Sequence, residues 1–147
     1  MLNKRGFTLI EILLVLALMT VVAAIMIPIS VDYQQRNNLD VAQNIFVQNI
    51  RRAQQLSMSG ELDSHWGVKV IPGDIVIYKG NDYASRDTSY DEKFDFIISP
   101  AIISSGTTEY NFSPVTGIPS PTTGTVFFTD NAYSKQVSVN EKGIVYY

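Results

Sequence analysis

Glu11 is the residue least at home in its surroundings. Between Phe7 and Ile29 it is the single charge in an otherwise apolar run. A carboxylate inside a membrane-length helix costs about a few kcal/mol and is usually kept for a function. Lys4 and Arg5 stand just before the run, and Gly6 separates them from Phe7. Other candidate chemistry is thin. His65, the one histidine, sits beside Trp66 and reads as a structural or exposed side chain rather than a general base. Asp82, Asp87, Asp91, Glu92 and Asp95 gather in one stretch. They lack the ligand spacing of a recognised calcium loop and read as a solvated acidic segment. No nucleophile–base pairing and no His/Cys zinc cluster stand in the sequence, so neither an enzyme nor a bound metal or cofactor is expected.

Bulk properties agree with a non-enzymatic reading. The 147 residues carry 11 basic and 14 acidic side chains, a net charge of −3, and no cysteine. Loss of residues 1–6 would remove Lys4 and Arg5, leaving nine basic against 14 acidic residues, a net of −5. Such a body has no overall attraction for nucleic-acid phosphates. Without disulfides, any folded domain must rest on its own packing. The mean hydropathy of +0.07 conceals a steep gradient, because the apolar residues concentrate near the N-terminus.

The elements that must position Glu11 follow from periodicity. The apolar run of about 23 residues, at roughly 1.5 Å per residue in a helix, is long enough to span a bilayer core. After Ser30 the pattern stays helical but becomes amphipathic. Val31, Leu39, Val41, Ala42, Ile45, Phe46, Ile50, Ala53 and Leu56 recur mostly at three- and four-residue spacing, while Gln43, Asn44, Gln48, Asn49, Arg51 and Arg52 fill other faces. One helix from about Thr8 to Met58 is predicted, closed by Ser59-Gly60. Asn37-Asn38 marks a candidate weak point. Pro28 removes a backbone hydrogen bond late in the run, either as a kink where the helix leaves a membrane or as a place where it loosens.

From His65 the period shifts toward two. Strands are predicted at 65–71 and 74–78 around Pro72-Gly73, then at 94–98, 101–103, 108–112, 125–129, 135–139 and 144–147. Residues 79–90 read as a polar loop, and the proline-containing stretch 113–124 as a second one. Aromatic residues at alternate strand positions would fill the core, with Tyr146 and Tyr147 a candidate contact site. The fold class is α+β: a long transmembrane-plus-amphipathic helix packed on a small antiparallel sheet or sandwich. The organisation is a leader at 1–6, an apolar helix at 7–29, an amphipathic helix at 30–60 and a β-rich head at 61–147.

An ordinary cleaved signal peptide would need a shorter apolar run and a cut near Ala24. A plain anchor, with Lys4 and Arg5 held on the cytoplasmic side, leaves Glu11 unexplained. The contiguous string Lys4-Arg5-Gly6-Phe7-Thr8-Leu9-Ile10-Glu11 resembles the processing site of type IV prepilins and type II secretion pseudopilins. That resemblance implies cleavage after Gly6 by a prepilin peptidase and methylation of the new Phe7 amine. It further implies a single-pass inner-membrane precursor with its head outside the cytoplasm, handed by an assembly platform to other pilin or pseudopilin subunits in a filament. Glu11 would then meet the terminal amine of a neighbouring subunit, a pairing that offsets the cost of two buried charges; the alternative is a side chain that snorkels to the headgroups. Pro28 resembles the helix-loosening residue of such filaments.

A second resemblance lies further along. Asn49-Ile50-Arg51-Arg52-Ala53, Phe112-Ser113-Pro114-Val115-Thr116-Gly117, Gly124-Thr125-Val126-Phe127-Phe128, Val137-Ser138-Val139-Asn140 and Gly143-Ile144-Val145 are similar to the GspH/FimT group of minor pilins and pseudopilins. Some FimT-like members bind DNA through basic residues near the C-terminus. Here Lys142 stands beside Glu141, a departure that argues against DNA as a partner. A head that acts as an adhesion or uptake module is the competing function.

Overall fold

The computed structural model describes residues 6–95, 102–130 and 132–147, without the side chains of Ile27, Pro28 and Ile29. One helix, α1, runs from Leu9 to Met58. It continues across Asn37-Asn38 without a break and is helical at Pro28. Gly60 follows it at φ 69°, the left-handed conformation that closes helices at low cost to glycine, and a short 3₁₀ turn at Glu61–Asp63 leads into the sheets. Contacts divide the chain into two compact units, Met1–Gln34 and Gln35–Tyr147.

In the first unit the side chains from Leu9 to Met26 are exposed all round. A helix apolar on every face has no polar side to give to water and suits lipid or a bundle of like helices. Among the described residues, α1 is the helix long and apolar enough to cross a membrane.

In the second unit the same helix is one-sided. Leu39, Ala42, Phe46, Ile50 and Ala53 are fully buried at successive steps of three and four. Val47, Gln43 and Asn49 are buried as well, which corrects the expectation that the two amides lie on outer faces. Gln43 is drawn in because its Nε2 donates to the Gln136 carbonyl at 2.9 Å. Val31, expected in the stripe, is half exposed.

Among the described residues, nine antiparallel strands belong to this unit: β1 Trp66–Ile71, β2 Asp74–Lys79, β3 Asp87–Asp95, β4 Ile103–Gly106, β5 Glu109–Phe112, β6 Pro119–Ser120, β7 Gly124–Thr129, β8 Ser134–Val139 and β9 Val145–Tyr146. They form a five-stranded sheet, β3-β2-β1-β5-β6, and a four-stranded sheet, β4-β7-β8-β9. The core lies between the helix and both sheets. Phe46 shows this best, with its ring 6.3 Å from Tyr110 on the first sheet and 5.5 Å from Phe128 on the second. Gly67 on β1 is there to be bare: a Cβ at that position would strike the Tyr78 ring and the Tyr110 carbonyl.

The α+β fold class, a long helix packed on antiparallel sheets, and most strands stand where the pattern placed them. The polar loop expected to end at Tyr90 is shorter, since β3 already starts at Asp87. As an edge strand exposed along most of its length, β3 needs no alternating apolar pattern and so shows none. Residues 96–101 lie outside the described residues, so the expected ends at 98 and 101 are left there. β4 reaches Gly106 rather than stopping at Ile103. The proline-rich stretch 113–124 contains the two-residue strand β6, placed at an edge, where a missing N–H is tolerated.

Candidate functional site at the N-terminus of the helix

Gly6, Phe7 and Thr8 precede the helix and are exposed, and a side chain at Gly6 would meet nothing within 4 Å. The bond between Gly6 and Phe7 is therefore carried on open, non-helical backbone. Phe7 is 86% exposed. Lys4 and Arg5 lie outside the described residues.

The helix begins at Leu9 rather than at Thr8 because Thr8 is its cap. The Glu11 amide donates to Thr8 Oγ1 at 3.3 Å. In return Glu11 Oε2 accepts from the Thr8 amide and from Thr8 Oγ1, each at 2.8 Å. This is the reciprocal capping box, in which Ser or Thr and a Glu three residues on satisfy the donors that every helix leaves open at its start. The spacing Thr8-x-x-Glu11 is the sequence signal for it, a signal that the charge of Glu11 in an apolar run overshadows. A carboxylate at this end also faces the positive pole of the helix dipole. Oε1 takes no part in the box.

The remaining sequence candidates stand apart from this site. His65 Nδ1 lies 3.0 Å from Asn111 Oδ1, whose amide donates to the Gly80 carbonyl at 2.6 Å. Because Gly80 also donates to the His65 carbonyl at 3.0 Å, the histidine fastens the end of β2 to β1. The acidic residues are dispersed among separate partners. Asp82 accepts from the Ser85 amide and hydroxyl, bonds that hold its pKa below the usual range, Ser85 Oγ contributing most. Asp91 takes Arg86 at 2.9 Å, and Glu92 takes Arg52 at 2.9 Å.

Glu109, unremarked in the sequence, is the better-built carboxylate. Its oxygens accept from Tyr78 Oη at 2.9 Å, the Tyr83 amide at 2.8 Å and Lys69 Nζ at 3.0 Å. Partial burial pushes its pKa up, but these three donors outweigh it and leave the pKa lowered. Its work is to hold the 80–86 loop over the five-stranded sheet, where the Tyr83 and Tyr78 rings meet edge to face at 5.6 Å.

Residues 1–27 match the family model described as the prokaryotic N-terminal methylation motif. No curated protein and no solved structure matches the chain. The matched segment contains Gly6, Phe7, the Thr8–Glu11 box and the apolar start of α1. The chain thus carries at its N-terminus the methylation motif of type IV pilin and pseudopilin precursors.

Proposed function

We propose that this protein is a structural subunit of a type IV pilus-like or type II secretion pseudopilus filament. The observation that carries the reading is the methylation motif running directly into an apolar helix exposed on every face. The precursor sits in the inner membrane through that helix. A prepilin peptidase cuts between Gly6 and Phe7, where the backbone is open, and the new Phe7 amine is methylated. Cutting before the helix leaves the whole apolar segment in the mature subunit, ready to exchange lipid for neighbouring helices.

Glu11 is the assembly residue in this reading. Its Oε2 is engaged by Thr8, which lowers the cost of a carboxylate at membrane depth. Oε1 is left to accept the Phe7 amine of a neighbouring subunit. The capping amide belongs to Thr8, so the box survives cleavage at Gly6. Pro28, which cannot donate to the carbonyl four residues back, marks where the helix loosens. Glu11→Ala is expected to insert and be cleaved normally yet to enter filaments poorly, measured as processed chain in sheared filaments against membranes. Normal incorporation would remove the pairing role.

The head is similar to the GspH/FimT group on its sequence pattern. An adhesion or uptake role for that head is the second reading, and DNA is disfavoured by the exposed Glu141 beside Lys142. Mass spectrometry of the mature N-terminus decides the main claim. A methylated Phe7 start is expected; an intact Met1 or a start after Ala24 would overturn it.

A further inference from the structure

The two sheets differ in how their edges are finished. An outer strand exposes unpaired N–H and C=O groups, and proteins blunt such edges with charge or proline. The five-stranded sheet is blunted at both ends. β3 carries Asp87, Asp91, Glu92, Lys93 and Asp95, and β6 begins at Pro119, with Pro121 just beyond. The four-stranded sheet has neither device. β4 reads Ile-Ser-Ser-Gly and β9 Val-Tyr, followed by Tyr147. Among the described residues no strand pairs with the outer side of either.

Side-chain direction adds to the contrast. Phe128, Val137 and Val139 are buried, so the residues alternating with them, Phe127, Gln136 and Ser138, point to the other face, and their cross-strand partners share that face. Ser105 lies opposite Phe127, and Tyr146 opposite Ser138. Ser105, Phe127 and Tyr146 are exposed, with uncharged Gln136 and Ser138 between them across β8. The five-stranded sheet instead pairs Lys69 with Glu109 and lies under the 80–86 loop.

Strand direction decides what can join these edges. Every neighbouring pair is antiparallel, so in a sheet of four the two outer strands run in opposite directions. A second copy in the same orientation would bring its β9 antiparallel to β4, continuing the ladder without a change of type. In the sheet of five the outer strands run the same way, and the same operation would demand a parallel seam, which is less stable per residue. A head-to-tail contact that does not close on itself generates a helical filament.

We propose that the β4 edge of one copy receives β9 of the next copy, making the four-stranded sheet the seam between successive heads of the assembly. The proposal rests on the filament reading above. The seam is short, bounded by four residues of β4 and two of β9, so it sets register and depends on the apolar helices for affinity.

The absence of cysteine makes the test clean. Ser105→Cys and Tyr146→Cys are introduced together in the full-length chain, expressed with its assembly system and treated with a thiol crosslinker. Within one copy these positions are three strand spacings apart, about 14 Å, so a crosslinker spanning about 8 Å cannot join them internally. A ladder of dimers, trimers and higher species is expected from the double variant. The two single variants co-expressed should stop at dimers, and each alone should stay monomeric. Dimers from Ser105→Cys alone would indicate a two-fold contact and overturn the proposal. Processed filaments without a ladder would overturn it while leaving the filament reading intact; neither filaments nor a ladder would sink both. As a second measure, Ser105→Lys should lower filament yield several-fold with an unchanged thermal melt, and an unchanged yield would count against the seam.

Discussion

The two stretches of α1, residues 9–34 and 35–58, share one backbone and little else. In the first, Leu16 and Met19 are more than half exposed, as Leu9 is, and the helix has no inside. In the second, a stripe from Leu39 to Ala53 is sealed, and polar side chains bind the strands beside it. The lesson is that helix formation and helix burial are separable. Backbone hydrogen bonds make the first stretch a helix; tertiary packing holds the second. The first leaves its apolar surface uncovered by the described residues.

This contrast can be broken most forcefully at Phe46. Phe46→Ala should destabilise the second unit by about 3–5 kcal/mol, because its ring contacts both sheets and the cavity cannot collapse from one side. Leu16→Ala should leave the same chemical-denaturation midpoint unmoved. Equal losses from the two would erase the distinction. Ser57→Ala comes next, at about 1–3 kcal/mol. Ser57 is fully buried, and its hydroxyl donates to the Phe112 carbonyl at 3.0 Å while accepting from the Trp66 amide at 2.9 Å. Removing it strands both groups, and a Thr replacement that keeps the hydroxyl should recover part of the loss.

Acid should act on the second unit through Glu109. Its folded pKa lies below the ordinary 4.5, so its stabilisation is present above that value and is lost as pH falls through the lowered one. Glu109→Gln is expected to flatten the acid limb of a stability–pH curve measured by urea midpoint, and an unchanged limb would assign that limb to other groups. The smallest effect is reserved for the exposed Arg52–Glu92 pair, with side chains 54% and 37% accessible. Arg52→Ala should cost about 0.2–1 kcal/mol, reduced further by salt.

Much of this was readable beforehand for physical reasons. Leu39, Ala42, Phe46, Ile50 and Ala53 declare a buried stripe because a helix brings every third or fourth residue to one face. Pro72-Gly73 declared the β1–β2 turn. β3 was misjudged because an edge strand's residues answer to solvent and to a single neighbour, and nothing in their order alternates. Glu109 was invisible for another reason: its donors come from positions 69, 78 and 83, brought together only by the pairing of strands. At the candidate site the opposite holds, since among the described residues the hydrogen bonds of Glu11 lie within three residues. Local chemistry can be read along a chain; assembled chemistry cannot.

Ser57 has a mechanical consequence. Tension on the helix, such as extraction from a membrane would impose, passes first through contacts such as Gln43 to β8 and Phe46 to both sheets, and what the backbone still carries arrives at the last turn. There Ser57 holds Phe112 of β5 and Trp66 of β1 through its hydroxyl, while its carbonyl receives the Val115 amide at 2.9 Å. The load that arrives there enters the five-stranded sheet at two inner strands, each flanked on both sides. Forced unfolding is governed by the rate of crossing the unfolding barrier, and that barrier is raised when several bonds must break together. A serine in the final turn of the helix is thus one coupling through which this head can be pulled against inner strands.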